Sequence, residues 1–536
     1  MRIANILSPQ TIVTNLSAAN RETAVGELVS LVARARGLDD PGGIAKDVLA
    51  RENANPTVIP VGPYHVVLPH AFGRPSAQLM MALGVSRQGV PWVGERRANL
   101  VVLLLGPAQT QLLYLRVLSR VAKLLGTQEA LESFLAATSP EDLISRVAAA
   151  EEPLGEIVPH EGLPTVCVLG AGHGGKAMAG HLALLGCKVN LWNRTPERIQ
   201  PIRDRGGVDL SGAVEGFASL NLATADPGDA VDNMDILMVV VPASGHRDVA
   251  QAIAPHVKDG QIIILNPGRT GGALEVAQVL RQVNTSARCY VAEAQTLLYA
   301  CRSTNPGQVH IYSIKNSVPL AVLPGYYVVD VLPVVQKVLP QFVPCESVLK
   351  TSLSNIGAVF HPAITILNTA RIEDTHGDFQ YYVEGVTPAV AAVLEAVDRE
   401  RVSVAAALGV DANSAREWLY LAYDAAGKTL FDAMRANRGY FGIKAPGTVQ
   451  HRYISEDVPF SLVPIASIGR MFGVPTPAID SIIHLASAMH KVDYWAQGRT
   501  VERLGIAGMS VKEIRFLVLG AELGAARSDG RAEGQR

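Results

Sequence analysis

At 536 residues and 57.0 kDa the chain is long enough for roughly three or four domains of about 150 residues, each able to bury a core without disulfides. Hydrophobic residues at 48% and charged residues at 18% exclude general disorder, and 47 Lys+Arg against 49 Asp+Glu give no electrostatic case for a nucleic-acid or anionic-membrane partner. Mean hydropathy is +0.20, yet no apolar run approaches the roughly 18 residues of a membrane span, Met1-Arg2-Ile3-Ala4-Asn5 lacks a signal-peptide core, and five scattered cysteines form no CxxC pair, so no metal site is expected and a reducing cytoplasm is the expected location.

Residues 1–150 read as a mixed α/β domain. Glu22–Arg36 and Leu112–Leu125 have the spacing of amphipathic helices, and Tyr64–Pro69 and Leu100–Leu105 read as strands. Leu49-Ala50-Arg51-Glu52 precedes Val67-Leu68-Pro69-His70-Ala71, and Leu103-Leu104-Leu105-Gly106-Pro107 leads into the second helix. Over about residues 3–148 these stretches resemble the enzyme IIA domain of the fructose/mannitol phosphotransferase class. The resemblance implies that His70 accepts a phosphoryl group, that Arg51 steadies it, and that a phosphotransferase-system phosphocarrier protein is the donor. Two departures stand out. Asn53–His65 is longer than usual and lacks the usual Ser/Thr-Gly turn, and Gln111 stands where a second histidine is expected. A phosphohistidine needs a nearby cation or donor; Arg51 supplies charge, whereas Gln111 only donates. A degenerate domain kept for packing or dimerisation is the alternative, and His65 lies close enough to compete for the assignment.

Ala148–Pro164, with Glu151-Glu152-Pro153 and His160-Glu161-Gly162-Leu163-Pro164, breaks the composition and reads as a linker over 151–163. Residues 164–330 then alternate strand and helix. Thr165–Leu169, Lys188–Trp192, Asp235–Val241 and Gln261–Leu265 are expected strands; Gly174–Leu185 and His246–Ile253 are expected helices, which implies a parallel sheet covered on both faces. The first strand runs into Gly170-Ala171-Gly172-His173-Gly174-Gly175. This is GxGxxG in the strand–turn–helix setting that it requires: Gly170 for the turn, Gly172 for close approach of a pyrophosphate, and Gly175 for helix–strand packing. A Rossmann dinucleotide-binding domain follows. At the end of the second strand Asn193-Arg194-Thr195 has no carboxylate for a ribose hydroxyl, and Arg194 could hold a 2′-phosphate with help from Asn193. NADP is therefore favoured over NAD, the alternative being an Arg194 that only caps a solvated strand end. Pro242–His246 and Asn266–Gly272 would lie at the carboxyl edge of the sheet, where such folds bind ligands.

From 331 to 526 the texture becomes helical, with Val348–Asn368, Thr387–Ala407, Ser414–Met434 and Thr476–Ala488 at helical spacing; residues 527–536 read as a polar tail. Val359-Phe360-His361-Pro362 sits within the first of these helices. Locally, His361 is as compatible with a satisfied core histidine as with a functional one. Arg452 and Asp457 are five residues apart, about 140° around a helix, so a turn must bring them together if they share a ligand; a capping carboxylate and a surface arginine are the alternative.

Several stretches in order now resemble one family. They are Leu265–Gly272, Glu293-Ala294-Gln295-Thr296 with Tyr299-Ala300-Cys301-Arg302, Ser354-Asn355 with Phe360-His361-Pro362, Tyr382-Val383-Glu384-Gly385, Asp398–Arg401, and Arg452-Tyr453 with Glu456–Pro459. A Rossmann domain followed by an all-α domain carrying these motifs resembles the opine (octopine/nopaline) dehydrogenases over about residues 164–520. The resemblance implies NAD(P)-dependent reductive condensation of an α-keto acid with an amino acid. It assigns His361 as acid/base, Asp457 as its orienting carboxylate, Arg452 as the clamp on the keto-acid carboxylate, and Thr296 and Cys301 as substrate contacts. A keto-acid reductase on the same plan, a phosphorylation-gated redox sensor and a homodimeric assembly are the other expectations to weigh.

Overall fold

The computed structural model describes residues 3–54, 58–72, 80–106, 124, 128–151, 162–283 and 287–520. Gln111, most of the helix expected at Leu112–Leu125, most of the linker and the tail at 527–536 lie outside the described residues. The rest falls into two compact units, one within Met1–Pro159 and one within His160–Leu519.

The N-terminal unit is built on a six-stranded sheet. Its central hairpin, Met80–Val93 against Arg96–Gly106, is antiparallel. The second of these strands is buried on both faces. Leu100, Val102 and Leu104 enter one apolar cluster, while Val101, Leu103 and Leu105 enter the other, as the two-residue repeat of a strand dictates. The helix Arg21–Arg36 covers one face. It starts at a reciprocal cap between Asn20 and Thr23 and stops at Gly37, whose φ of 64° is left-handed. His70–Phe72 pairs in parallel with Arg96–Gly106, setting His70 beside Leu104. The helix Pro140–Glu151 continues into the segment expected to be linker.

The second unit carries an eight-stranded sheet in the order Leu222–Thr224, Val189–Trp192, Val166–Leu169, Ile236–Val239, Ile262–Leu265, Tyr290–Ala294, Val318–Leu323, Phe342–Pro344. The first six strands are parallel, and strand order reverses between Val166–Leu169 and Ile236–Val239, the switch point where doubly wound sheets bind ligands. The sheet takes its last strand from beyond residue 331, so helical texture there does not exclude an edge strand. A separate four-stranded sheet, Gly216–Ser219, Gly207–Gly212, Gln308–Ile314 and Tyr299–Asn305, packs against the helix His173–Leu184. Lys176 of that helix is buried and bonds Ser303, Asn305 O at 3.2 Å and Pro306 O at 2.9 Å, fixing the helix to the smaller sheet.

Two expected helices are each broken. Val348–Asn368 is two helices, Val348–Leu353 and Gly357–Leu367. Asn355, between them, turns its amide to Ser461 Oγ at 2.9 Å. Ser414–Met434 is Ala415–Tyr423 and Leu430–Ala436. The first ends at Asp424 in left-handed conformation, φ 55°, and the second restarts on a Thr429–Asp432 capping box. Gly427 lies between them, where a Cβ would come within 2.3 Å of Ala433 N.

Candidate active site

The glycine loop has the shape that a dinucleotide requires. Gly170 has φ 119°, and a Cβ there would meet Val240 O at 2.6 Å. At Gly175 a Cβ would meet Gly170 O at 1.6 Å, so strand and helix touch through bare backbone. At Gly172 a Cβ would meet nothing within 4 Å: the backbone is open on the side from which phosphates approach, and no side chain caps the helix. These residues fit a nicotinamide dinucleotide. Asn193 Oδ1 accepts the Ala171 N–H at 3.1 Å and its amide donates to Thr195 O at 3.1 Å, so Asn193 braces the loop. Arg194 pairs with Asp248 at 2.5 Å, both side chains being largely exposed.

His361 lies in Gly357–Leu367, one residue before Pro362. The proline has no N–H to offer Ala358 O, which weakens the helix at this turn. In the next turn the His361 carbonyl accepts two hydroxyls, from Thr365 and Tyr381, both at 2.8 Å. Its ring is held on three sides. Nδ1 meets Asp457 Oδ2 at 2.8 Å, Nε2 meets the Tyr382 hydroxyl at 3.1 Å, and Tyr453 stacks on the ring with centroids 4.1 Å apart. Burial pushes the Tyr382 phenol well up, with Tyr453 adding to it, so Tyr382 is a neutral hydroxyl across the physiological range.

Asp457 is fully buried. It lies between the short helix Arg452–Ser455 and a single wide π-type turn, Val458–Leu462. Burial alone would raise its carboxyl, but the charge of Arg269, then His361 and its hydrogen bond, then Arg452, outweigh burial and hold it below the usual carboxylate range. Arg269 Nη1 stands 3.1 Å from Asp457 Oδ1, and Arg269 Nε donates to Glu456 Oε1 at 3.3 Å. Glu456 also accepts the Ala243 N–H at 3.2 Å, which ties the loop after Ile236–Val239 to this cluster.

Arg269 itself adopts a left-handed backbone, φ 58°, costing a non-glycine residue roughly 1–2 kcal/mol. The loop is held there by its neighbours. Arg499, fully buried, donates to Gly268 O and Thr270 O, each at 3.1 Å, and pairs with Glu275 at 2.6 Å. A Cβ on Gly268 would fall 2.5 Å from the Glu293 carboxylate, which in turn takes Thr351, Ser352 and the Ala273 N–H. The strained turn aims the guanidinium at two buried carboxylates.

The other residues singled out in the sequence divide. Arg452 is 62% exposed and 3.9 Å from Glu456, and its charge reaches Asp457 and His173. Thr296 Oγ1 accepts from Lys315 Nζ at 2.8 Å. Cys301 pairs with Ile311 across the smaller sheet, and burial lifts its thiol to about 11; no hydrogen bond or ion pair joins it to His361. Arg269, Glu456, Tyr382 and Tyr453 were quoted among the family stretches without a role. Lys315 and Arg499 carried no sequence signal at all.

In the N-terminal unit His70 is buried, and its Nδ1 lies 2.9 Å from Leu68 O. Nδ1 must carry the hydrogen to make that bond, which leaves Nε2 as the basic nitrogen. Burial lowers the imidazole from its ordinary value, and the charge of Arg51, in the last turn of Pro41–Ala54, adds to the lowering.

Residues 344–490 match the family described as NAD/NADP octopine/nopaline dehydrogenase, alpha-helical domain; residues 165–289 match the NAD-dependent glycerol-3-phosphate dehydrogenase N-terminus; and residues 5–149 match the phosphoenolpyruvate-dependent sugar phosphotransferase system, EIIA 2. An opine dehydrogenase of Arthrobacter sp. (strain 1C) is 42% identical over 66% of this chain and 98% of its own. The protein ocs of Agrobacterium tumefaciens (strain Ach5) is 25% identical over 65% of this chain and 97% of its own. A solved octopine dehydrogenase with NADH and L-arginine shares the fold, with a TM-score of 0.58 at 22% identity over 67% of this chain and 98% of its own. The chain belongs to the opine dehydrogenase family, and is an NAD(P)-dependent oxidoreductase acting on CH–NH donors with an EIIA-like N-terminal region.

Proposed function

We propose that the chain joins an α-keto acid to the amino group of an amino acid through an imine and reduces that imine with NADP(H) as preferred cofactor. The Asp457–His361 contact at 2.8 Å, with Asp457 fully buried, carries this reading. Condensation needs a proton removed from the ammonium and later delivered to the departing hydroxyl of the carbinolamine. Nε2 of His361 takes the first and returns the second, while Asp457 fixes the tautomer and stabilises the imidazolium. Tyr382, neutral and bonded to Nε2, is placed to pass these protons or to hold the carbinolamine oxygen. Arg452, with its guanidinium largely exposed, is suited to clamp the keto-acid carboxylate by two parallel bonds. Thr296 and Cys301 would border the substrate. Gly170, Gly172 and Gly175 would hold the dinucleotide's pyrophosphate, and the bound cofactor would supply the hydride. Arg194 would hold a 2′-phosphate by exchanging it for Asp248.

Purified protein offered a matrix of keto acids and amines tests the reading. Oxidation of NADPH is expected only when keto acid and amine are both present. Equal oxidation with keto acid alone would make the enzyme a keto-acid reductase and refute condensation.

For the N-terminal unit the reading is regulatory. The Leu68-bound tautomer leaves Nε2 of His70 as nucleophile, and Arg51 offers a cation for the phosphoryl charge. A phosphorylated phosphocarrier protein should label the chain with an acid-labile phosphate, and His70→Ala should abolish it. Labelling that persists in His70→Ala would exclude His70 as acceptor.

A further inference from the structure

The segment Gln295-Thr296-Leu297 touches both halves of the site. Gln295 Nε2 donates to Ser354 O at 3.1 Å, just ahead of the helix that carries His361. On the other side, a Cβ placed on Gly174, in the first turn of the dinucleotide helix, would lie 3.2 Å from Leu297 Cδ2. Lys315 follows the strand Gln308–Ile314, and its backbone N–H bonds Leu298 O at 3.0 Å. The side chain turns back over the segment: Nζ donates to Thr296 Oγ1 and to Leu297 O, each at 2.8 Å.

An ammonium has three N–H donors, and these two bonds use neutral acceptors. Among the described residues no carboxylate pairs with Lys315, which as a whole residue is exposed to solvent. Its surroundings are nevertheless costly for a charge: burial, then the positive charge of Arg269, draws the ammonium down to about 8. Arg269 is itself beside the reacting histidine. A Cβ on Gly357 would lie 3.0 Å from Arg269 Nη1 and 3.3 Å from His361 Cε1. A fixed cation with a spare donor and no counter-ion, at the seam between cofactor loop and acid/base, is built to receive an anion.

We propose that Lys315 anchors the α-carboxylate of the amine substrate, so that the enzyme selects α-amino acids over simple amines. This rests on the condensation reading. Joining a keto acid to an amino acid gives a product with two carboxylates; Arg452 serves the one from the keto acid, and Lys315 serves the other. The pairing also gives Thr296 its part: its hydroxyl orients the ammonium and need not touch substrate.

The test uses the full chain, NADPH, pyruvate and matched probes: L-arginine with agmatine, L-leucine with 3-methylbutylamine, L-phenylalanine with 2-phenylethylamine. Each pair differs by the carboxylate alone. Lys315→Met should raise KM for the preferred amino acid by roughly ten- to hundredfold, leaving KM for its decarboxylated partner, KM for pyruvate and NADPH affinity within about twofold. Lys315→Arg should restore most of the loss. Quenching of bound NADPH fluorescence by the same probes gives affinity without turnover. A parent that never condenses, yet binds an amino acid more weakly after Lys315→Met, would refute the condensation reading while supporting the anchor. Equal losses for amino acid and amine, or no loss in either readout, would overturn the anchor and leave Lys315 as a brace for Thr296.

Discussion

Replacing Asp457 by Asn removes one charge and keeps the shape of the side chain. Asp457 Oδ2 makes a single 2.8 Å bond to His361 Nδ1, and Oδ1 faces Arg269 at 3.1 Å. A charge-assisted bond in a buried site contributes about 1.5–3 kcal/mol, which is about 10- to 150-fold in rate if it is felt only when the imidazole is protonated. A second effect adds to this. The Asn amide can present N–H to Nδ1, driving the ring hydrogen to Nε2, where the base must be free. Together the two should lower kcat by about 10²- to 10⁴-fold. Cofactor affinity should stay within about twofold, because the glycine loop has no bond to Asp457. Steady-state kinetics at saturating keto acid and amine, beside a fluorescence titration with NADPH, reads both numbers. A kcat within about threefold of the parent would refute the acid/base assignment. A matching loss of cofactor affinity would show that the variant has disturbed the fold and not the proton.

Arg269→Gln should destabilise the chain by about 3–5 kcal/mol in urea unfolding, since it leaves Asp457 and Glu456 buried without their shared cation; a loss under about 1 kcal/mol would refute the account of that cluster. Asp457 is held below its unfolded value, so its stabilising contribution is full above about pH 4 and is lost as pH falls through the folded value. The parent should therefore lose melting temperature below about pH 4 more steeply than Asp457→Asn does, and parallel melting curves would contradict this. Arg194→Ala should weaken NADPH by about 1.5–3 kcal/mol and leave NADH nearly unchanged; equal changes would return Arg194 to the role its Asp248 pair already shows.

What the sequence determined by itself was local. The glycine fingerprint needs only a strand, a turn and a helix within a few residues, and that strand–turn–helix forms around Gly170, Gly172 and Gly175. The short apolar run Leu100–Leu105 and the helical repeat of Pro388–Ala407 likewise depend on near neighbours. His361 and Asp457 were legible through their surrounding stretches, although neither alone distinguishes a catalytic side chain from a core one. The rest was decided at a distance. Helical spacing runs straight through Ser354–Ile356 and Asp424–Lys428, yet both helices stop there, where Asn355 bonds Ser461 and Gly427 packs bare backbone on Ala433. His361 and Asp457 meet across 96 residues, and Arg194 finds Asp248 across 54. Arg269 reads as one residue of a glycine-rich turn; its left-handed backbone is held, and its guanidinium aimed at Asp457, by groups the tertiary fold packs against that turn, among them Arg499, Glu293 and Ser352. Periodicity and propensity report the energy of a chain with its neighbours, whereas the position of a buried charge is fixed by which distant group compensates it, and that partner exists only once the chain has folded.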